Sequence, residues 1–398
     1  MGAPVFLSAL GIVSPMGRGK RQVLENLVEV RSPGVVCRND LLVGGEPIYV
    51  GEVAGDLPEV PADLSMYASR NTAMMIEAVE QIQDDVETAV SRYGAERIAL
   101  VMGTSTSGID EGEKAVACAE TSGRLSETYD TRQQELGSPA EVLARYLGLE
   151  GPAFTVSTAC SSSAQALADG RRLLRTGIAD AVLAGGADSL CRLTVNGFHA
   201  LSALSKERCN PFSRNRDGTM IGEGAAVFLM QREPSDIALY GVGASSDAYS
   251  MTAPEPSGRG VELAIRQALA DADMAADDID YIQLHGTGTL QNDAMESDVV
   301  LRVFGCETAC SSSKGQLGHT LGAAGAMGAA HCWLAASDLN PDRLLPPHLW
   351  DGEAEDGLLA GSLVKKGQSL GSSAKRLFLS NAFAFGGNNV TLVIGRRQ

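Results

Sequence analysis

Three stretches of this chain carry side chains able to do covalent chemistry. In F-T-V-S-T-A-C-S-S-S-A-Q-A-L-A-D-G (154–170) a short β-prone run breaks at Ser157 and Thr158, and a helix of small residues is expected to follow with Cys160 in its first turn. Free N–H groups and the positive end of the helix dipole favour an anion there, which lowers a thiol pKa and frees a thiolate nucleophile. D-Y-I-Q-L-H-G-T-G-T (280–289) presents His285, and C-S-S-S-K-G-Q-L-G-H (310–319) presents Lys314 and His319. The chain has five histidines, and these two sit beside Gly-rich turns at expected strand ends. Taken singly, each residue has a plain alternative, an inert buried cysteine or a core histidine. Taken together, one thiol and two imidazoles suit acyl transfer: the thiolate attacks a thioester and the imidazoles orient or polarise the carbonyl.

Residues so far apart meet only if the fold brings their loops together, and the sequence offers a way. The chain replays itself. R-I-A-L-V-M-G-T-S-T-S-G (97–108) resembles D-Y-I-Q-L-H-G-T-G-T-L-Q (280–291), and the Cys160 unit has a counterpart at 310–325. A-V-L-A-G-G-A-D (181–188) resembles 378–388, and the strand expected at 225–230 matches 389–394. Four features in the same order point to a duplicated α/β unit, with equivalent loops gathered near a pseudo-twofold axis. The turn-forming E-P-S-D run after residue 232 divides the halves, giving expected domains 1–234 and 235–398. Other expected elements are a strand at 5–13, a helix at 20–30, one long helix or a helix pair at 65–93, a strand at 97–102 and a helix at 138–147 capped by Ser138.

With 398 residues, 44% hydrophobic and 20% charged, the chain is long enough for two lobes. A net charge of −17 argues against general nucleic-acid or anionic-membrane binding and requires any acidic partner to meet a local basic patch. The eight cysteines are scattered without a C-x-x-C pair, and Cys306 and Cys310 lack a second pair, so neither a disulfide scaffold nor a metal site is expected. The apolar run 317–336 contains His319 and His331 and reads as a packed interior helix rather than a membrane span. The first residues lack the pattern of a signal peptide, and a reducing cytoplasm fits best.

T-A-C-S-S-S (158–163), H-G-T-G-T-L-Q-N-D-A-M-E (285–296), K-G-Q-L-G-H-T-L-G-A-A-G (314–325) and N-A-F-A-F-G-G-N-N (381–389) resemble, in order, the signatures of β-ketoacyl-[acyl carrier protein] synthases, and 210–226 resembles a fifth. The resemblance covers nearly the whole chain. It implies a thiolase fold, two similar α/β halves in five α-β-α-β-α layers, and a homodimer or a heterodimer with a chain-length-factor-like synthase. It implies Cys160 as the acylated nucleophile, His285 and His319 in decarboxylation of malonyl carrier protein, and Lys314 as electrostatic support. The N–H groups of Cys160 and Phe385 would form an oxyanion hole, Phe385 would gate entry of the extender, and Thr287 and Thr289 would bind the pantetheine amides. No metal or redox cofactor is implied, because the substrates ride on the 4'-phosphopantetheine of acyl carrier protein. Within the family the chain looks most like synthases of aryl-polyene clusters, with housekeeping fatty-acid elongation as the alternative. A non-catalytic chain-length factor usually replaces the cysteine, and a degradative thiolase uses a second cysteine where 381–389 has none.

Three features depart from the family pattern. Ala384 stands between the two Phe residues of the gating loop, where many relatives have Gly. Gly328 stands nine residues after His319, where many carry the acidic partner of the lysine, so Glu296 or Asp293 is expected to take that place. Gly218, Thr219 and Met220 replace the usual G-F-V. Of the cations Arg70, Lys206, Arg208 and Arg214, Lys206 and Arg208 are the expected docking residues for an acidic carrier protein.

Overall fold

The computed structural model describes residues 4–372 and 374–396. Ten principal strands lie in one mixed sheet. The first five are β1 (Val5–Ser14), β2 (Ile98–Gly103), β3 (Ala153–Val156), β4 (Ala181–Asp188) and β5 (Gly224–Gln231). The second five are β6 (Ile237–Ser246), β7 (Tyr281–Gln283), β8 (Ala309–Ser311), β9 (Leu377–Phe383) and β10 (Asn388–Arg396). The sheet order is β8-β7-β9-β10-β6-β1-β5-β4-β2-β3, with a two-residue arm, Gly17–Arg18, paired to β1.

The duplication is written in that order. Outward from β1 the sequence is β1-β5-β4-β2-β3; outward from β6 it is β6-β10-β9-β7-β8, the same path with five added to each number. The strand senses match as well, two antiparallel pairings followed by two parallel ones in each half. β1 and β6 join the halves antiparallel through Val5–Leu239 and Phe6–Ala238. The chain is an α/β protein of the thiolase type, with helices between and outside the two half-sheets.

Helices α1 (Arg70–Glu80) and α2 (Ser138–Leu147) cover the outer face of the first half. Between the halves lie α3 (Ser162–Arg175) and, further along the chain, α8 (Ala324–Ala336). Between those two in sequence come α4 (Arg192–Ala200), α5 (Arg259–Ala272), α6 (Leu290–Phe304) and the single turn α7 (Lys314–Leu317). α5 packs on β6 and β10 and against α6, closing the outer face of the second half. The run expected as an interior helix at 317–336 is instead the end of a helical turn at Leu317, a single 3-10 turn at Leu321–Ala323 and an α-helix over Ala324–Ala336, and that helix is buried almost all round, as a helix apolar on every face must be. Among the described residues no helix is long and apolar enough to cross a membrane.

The small residues of α3 and α8 answer to their close crossing. A Cβ on Gly325 would lie 2.5 Å from the Ala164 backbone nitrogen. The Ser163 hydroxyl accepts from the Ala326 N–H at 2.8 Å at the same crossing. The expected helix at 65–93 divides into Arg70–Glu80 and Gln83–Tyr93, and Gln81 between them binds both the N–H and the carbonyl of Ile12 on β1. Ser138 is the first helical residue of α2 rather than its cap; Gly137 holds the cap position and the Ser138 hydroxyl donates to the Arg132 carbonyl.

Replacing Gly325 with Ala should lower stability by about 1–3 kcal/mol through overpacking at the helix crossing. Gly361→Ala, with open space around its Cβ, should leave stability unchanged or slightly raised. Equal denaturant midpoints for the two variants would show that the crossing has slack.

Candidate active site

The chemistry-bearing residues lie at the carboxyl ends of the parallel strands, on loops that the duplication makes equivalent. Cys160 follows β3 and the Lys314–His319 turn follows β8; His285 follows β7; Asp188 ends β4 and Phe385 follows β9. Carboxyl-end crevices of this kind are where α/β sheets place ligands. Here two such ends face each other, and residues more than a hundred positions apart meet. His319 Nε2 lies 3.0 Å from Cys160 Sγ. The His285 and His319 rings are 5.4 Å apart and nearly perpendicular. Cys160, His285, Lys314 and His319 are all buried.

Cys160 sits on a tight turn. Ala159, just before it, has φ +50, a left-handed conformation that costs a non-glycine residue on the order of 1 kcal/mol. Local hydrogen bonds hold it: the Ser162 hydroxyl donates to the Ala159 carbonyl and accepts from the Thr158 N–H, at 2.6 and 2.9 Å. The following helix starts at Ser162 with Ser161 as its cap, so Cys160 stands just ahead of the first turn rather than in it. The expected acidic thiol is corrected accordingly. Burial pushes the Cys160 thiol up to about 12; Lys314 pulls the other way, Asp188 adds to the rise, and the Phe385 and Cys160 N–H groups that face the sulfur lower it. Desolvation of the thiolate outweighs the helix dipole. Those two N–H groups are the pair expected to form an oxyanion hole.

Burial, then the nearby Lys314 charge, holds both His285 and His319 well below the usual histidine range, so at neutral pH both rings are uncharged. Burial lowers Lys314 too, against the opposing pull of Glu296, its strongest carboxylate neighbour. Neither Glu296 nor Asp293 makes a direct ion pair with Lys314 among the described residues; both act on it through space, Glu296 the more strongly, while the ammonium donates to the His285 carbonyl. The two carboxylates are occupied by backbone. Glu296 accepts from the His285 and Gly286 N–H groups at 2.8 and 2.7 Å, and Asp293 from those of Phe212 and Gly288 at 2.8 and 3.2 Å. Gly328 faces Ser380 and Gln283 and leaves no acid near the lysine from that side.

A cavity of about 420 Å³ leads to this centre, lined by Cys160, His285, His319, Thr287, Thr289 and Phe385 among others. The Thr287 and Thr289 hydroxyls are 2.9 Å apart on its wall. Thr219, one of the departures from G-F-V, also lines it, with its buried hydroxyl beside the Cys209 thiol. At its inner end Phe385 stacks on Phe198 of α4, 5.3 Å between centroids and 18° between planes. The Phe385 loop, expected to gate entry, is tied to the segment after β6: the Gly386 N–H donates to the Met251 carbonyl and the Asp247 N–H to the Gly387 carbonyl, at 2.8 and 2.9 Å. Ala384 has φ −127 in this state, so its Cβ adds no strain here; the positive φ values fall on Gly386 and Gly387.

Of the four cations weighed for docking, Arg70 is engaged internally, paired with the fully buried Glu223. Lys206, Arg208 and Arg214 are exposed. Sequence reasoning missed Asp188 and Phe198. Asp188 stood in view at the end of a strand, just after the Gly185-Gly186 pair, whereas a lone Phe in a helix gave no signal.

Residues 55–235 match the model for the β-ketoacyl synthase N-terminal domain and 237–349 that for its C-terminal domain. The chain is 31% identical to nodulation protein E of Rhizobium meliloti over 404 residues, 98% of each. It is 28% identical to the 3-oxoacyl-[acyl-carrier-protein] synthase 2 of Synechocystis over 424 residues, 99% of this chain and 98% of that one. Among solved structures it resembles the ketosynthase ApeO in complex with its chain length factor ApeC from Xenorhabdus doucetiae, with 44% identity, a TM-score of 0.94, and coverage of 99% of this chain and 98% of the other.

Burial pushes the Glu296 carboxyl up to about 7, against backbone N–H donors that lower it. The folded state therefore binds the Glu296 proton more tightly than the unfolded chain does. Stability should fall as pH rises from about 4.5 to about 7, by on the order of 3 kcal/mol from this group. Glu296→Gln removes the titration, so the stability advantage of the native protein over the variant should shrink across that window in denaturant unfolding. A pH-independent difference would mean Glu296 stays ionised throughout.

Proposed function

The chain belongs to the β-ketoacyl synthase family and is an acyltransferase of the condensing class; from that premise we propose that it is the catalytic ketosynthase that extends a carrier-bound aryl-polyene chain beside a chain-length-factor-like partner. The observation that carries the reading is the convergence of Cys160, His319 and His285 at the end of one tunnel. The 44% identity to a ketosynthase solved with its chain length factor supports the partner and, with the sequence resemblance, the pathway. The outer edge strand β3, with Phe154 half-exposed, offers unpaired backbone on which a second synthase-like chain would pack.

In the proposed cycle Cys160 Sγ attacks the acyl thioester carbonyl, its proton passes by way of His319 to the departing carrier thiolate, and the Cys160 and Phe385 N–H groups hold the oxyanion. Malonyl carrier protein then enters past Phe385. Its carboxylate leaves as carbon dioxide, and the resulting enolate oxygen is held by His285 and His319 in a desolvated pocket. The enolate carbon attacks the acyl-cysteine, the carbon–sulfur bond breaks, and the sulfur recovers a proton. Lys314 fixes the His285 loop through its carbonyl and supplies the positive field that favours these anions. Thr287 and Thr289 take the pantetheine amides. Every carrier of electrons in this scheme is a substrate or side chain, with the substrates on the phosphopantetheine arm of an acyl carrier protein.

The tunnel mouth bears Leu201 and Leu290, both half-exposed, with Lys206 and Arg208 close by in sequence. We place carrier docking there, the leucines meeting an apolar face and the cations its acidic rim. Leu290→Glu should raise KM for carrier-bound acyl groups about tenfold or more with little change in kcat, and Lys206→Glu with Arg208→Glu should raise it further at low salt. Unchanged KM in both would move the docking face elsewhere.

The deciding experiment is intact-protein mass spectrometry after incubation with carrier proteins bearing saturated medium-chain, short polyunsaturated or aryl-polyenoyl groups, with and without malonyl carrier protein. Labelling of Cys160 by conjugated groups alone is expected. Labelling by saturated chains would move the enzyme to fatty-acid elongation, and persistent elongation by Cys160→Ser would remove Cys160 as the nucleophile.

A further inference from the structure

Three buried carboxylates surround the catalytic centre. Glu296 and Asp293 stand on α6 in the second half and hold the backbone of the His285 loop. Asp188 comes from the first half, at the end of β4, and is fully buried. No ion pair among the described residues involves it. Its charge is met by hydrogen bonds alone, and they come from two loops.

From the first half it accepts the Thr104 hydroxyl at 2.5 Å, the Ser105 N–H at 2.9 Å, and the Thr106 N–H and hydroxyl at 2.9 and 2.8 Å. From the second half it accepts the Gly322 N–H. Gly322 is three residues beyond His319, and Leu321 between them is held at φ +50, where a leucine does not rest unaided. The catalytic ring needs such an anchor. A functional imidazole is commonly aligned by a hydrogen bond at its second nitrogen. His319 Nδ1 is buried and has no protein partner. Its orientation must then come from the backbone that carries it. On the N-terminal side that backbone is pinned: the His319 N–H donates to the Met220 carbonyl at 2.6 Å and its carbonyl accepts from the Gly222 N–H at 2.9 Å. On the C-terminal side the tie to a side chain is Asp188.

We propose that Asp188 is a positioning residue for condensation: its carboxylate clamps the Thr104–Thr106 loop of one half to the Gly322 turn of the other, and so holds the His319 ring at hydrogen-bond distance from Cys160. An uncompensated buried carboxylate is costly unless its lone pairs are met; this one is met by five donor groups, four of them on the Thr104–Thr106 loop, which bears no catalytic side chain. That expense of fold is explained by the need to register two halves at the catalytic thiol. Asp188 touches neither substrate nor reacting sulfur in this scheme. Its positioning effect acts through His319, beside the direct field by which it raises the Cys160 thiol.

The inference rests on the condensing reading of the site. The test compares the full-length protein with Asp188→Asn, in which an amide of the same shape turns an N–H₂ group toward N–H donors. Steady-state condensation should lose about 10²-fold in kcat with KM for the acyl carrier substrate unchanged, since displacing a catalytic group by about 1 Å costs that much. Malonyl decarboxylation, measured in a Cys160→Ala background where acyl transfer is removed, should fall in parallel on adding Asp188→Asn. A kcat within about twofold of native, or a loss carried by KM, overturns the proposal. Thr104→Val keeps the carboxylate and removes one donor; should Asp188→Asn fail to fold, a several-fold fall in kcat for Thr104→Val supports the clamp and an unchanged kcat overturns it. Failure of the condensing reading is separate: the native protein would then neither decarboxylate malonyl carrier protein nor acquire an acyl group.

Discussion

The structure depends on how closely two helices cross. α3 begins two residues after Cys160 and α8 follows the His319 turn, and they touch where Gly325 leaves room for the Ala164 backbone. Sheets from each half close over this pair from both sides. A larger residue at the crossing would drive the helices apart by ångströms, and the 3.0 Å contact between His319 and Cys160 lies one loop away. The alanine- and glycine-rich composition of both helices therefore follows from chemistry as much as from packing. Hydrophobic burial alone would have been met by larger side chains.

Electrostatics imposes the second constraint. Thiol, two imidazoles, ammonium and three carboxylates lie within one dry region. In such a medium unmatched charge is expensive. Among the described residues no ion pair forms there, and each charge is met by backbone groups with a few neutral side chains: N–H donors for Glu296, Asp293 and Asp188, joined by Asn381, Asn292 and the Thr104 and Thr106 hydroxyls, and the His285 carbonyl for Lys314. Backbone partners have fixed direction, so the same bonds that neutralise the carboxylates also fix the loops bearing the histidines. This explains how the site tolerates Gly328. Lys314 is stabilised by a carbonyl and by the through-space pull of Glu296, and a second acid is not required.

Much of this was legible in the sequence, and the rest was hidden for identifiable reasons. The repeat of short motifs in one order told of duplicated halves, because equivalent strand ends need equivalent turns. Cys160, His285, Lys314 and His319 were visible because reactive side chains beside glycine turns are unusual. What the residues around Cys160 could not reveal was the balance between helix dipole and desolvation, which depends on how deep the loop sits. The range at which an acid serves Lys314 is hidden for a similar reason: sequence shows the acids but not which backbone N–H groups hold them away from the ammonium. Asp188 lies inside the repeated motif 181–188, but its role appears only when Gly322, from the other half, arrives beside it.

The uncharged state of the centre bears on how one site performs two reactions. Acyl transfer needs a proton taken from sulfur; decarboxylation needs an electrophilic environment for an enolate. A thiolate–imidazolium pair in the resting enzyme would suit the first step but would spend His319 as an acid before the malonyl group arrived. With burial holding the thiol high and both imidazoles low, the resting pair is thiol and neutral ring. On the proposed cycle the proton then moves only as the acyl carbonyl enters the oxyanion hole, and once the acyl group is seated His319 is again neutral. Both rings are thus ready to donate hydrogen bonds to the enolate without a change of overall charge. The raised thiol is consistent with that economy, provided that geometry and not ionisation brings sulfur to the carbonyl, which is the task the backbone anchors of His319 perform.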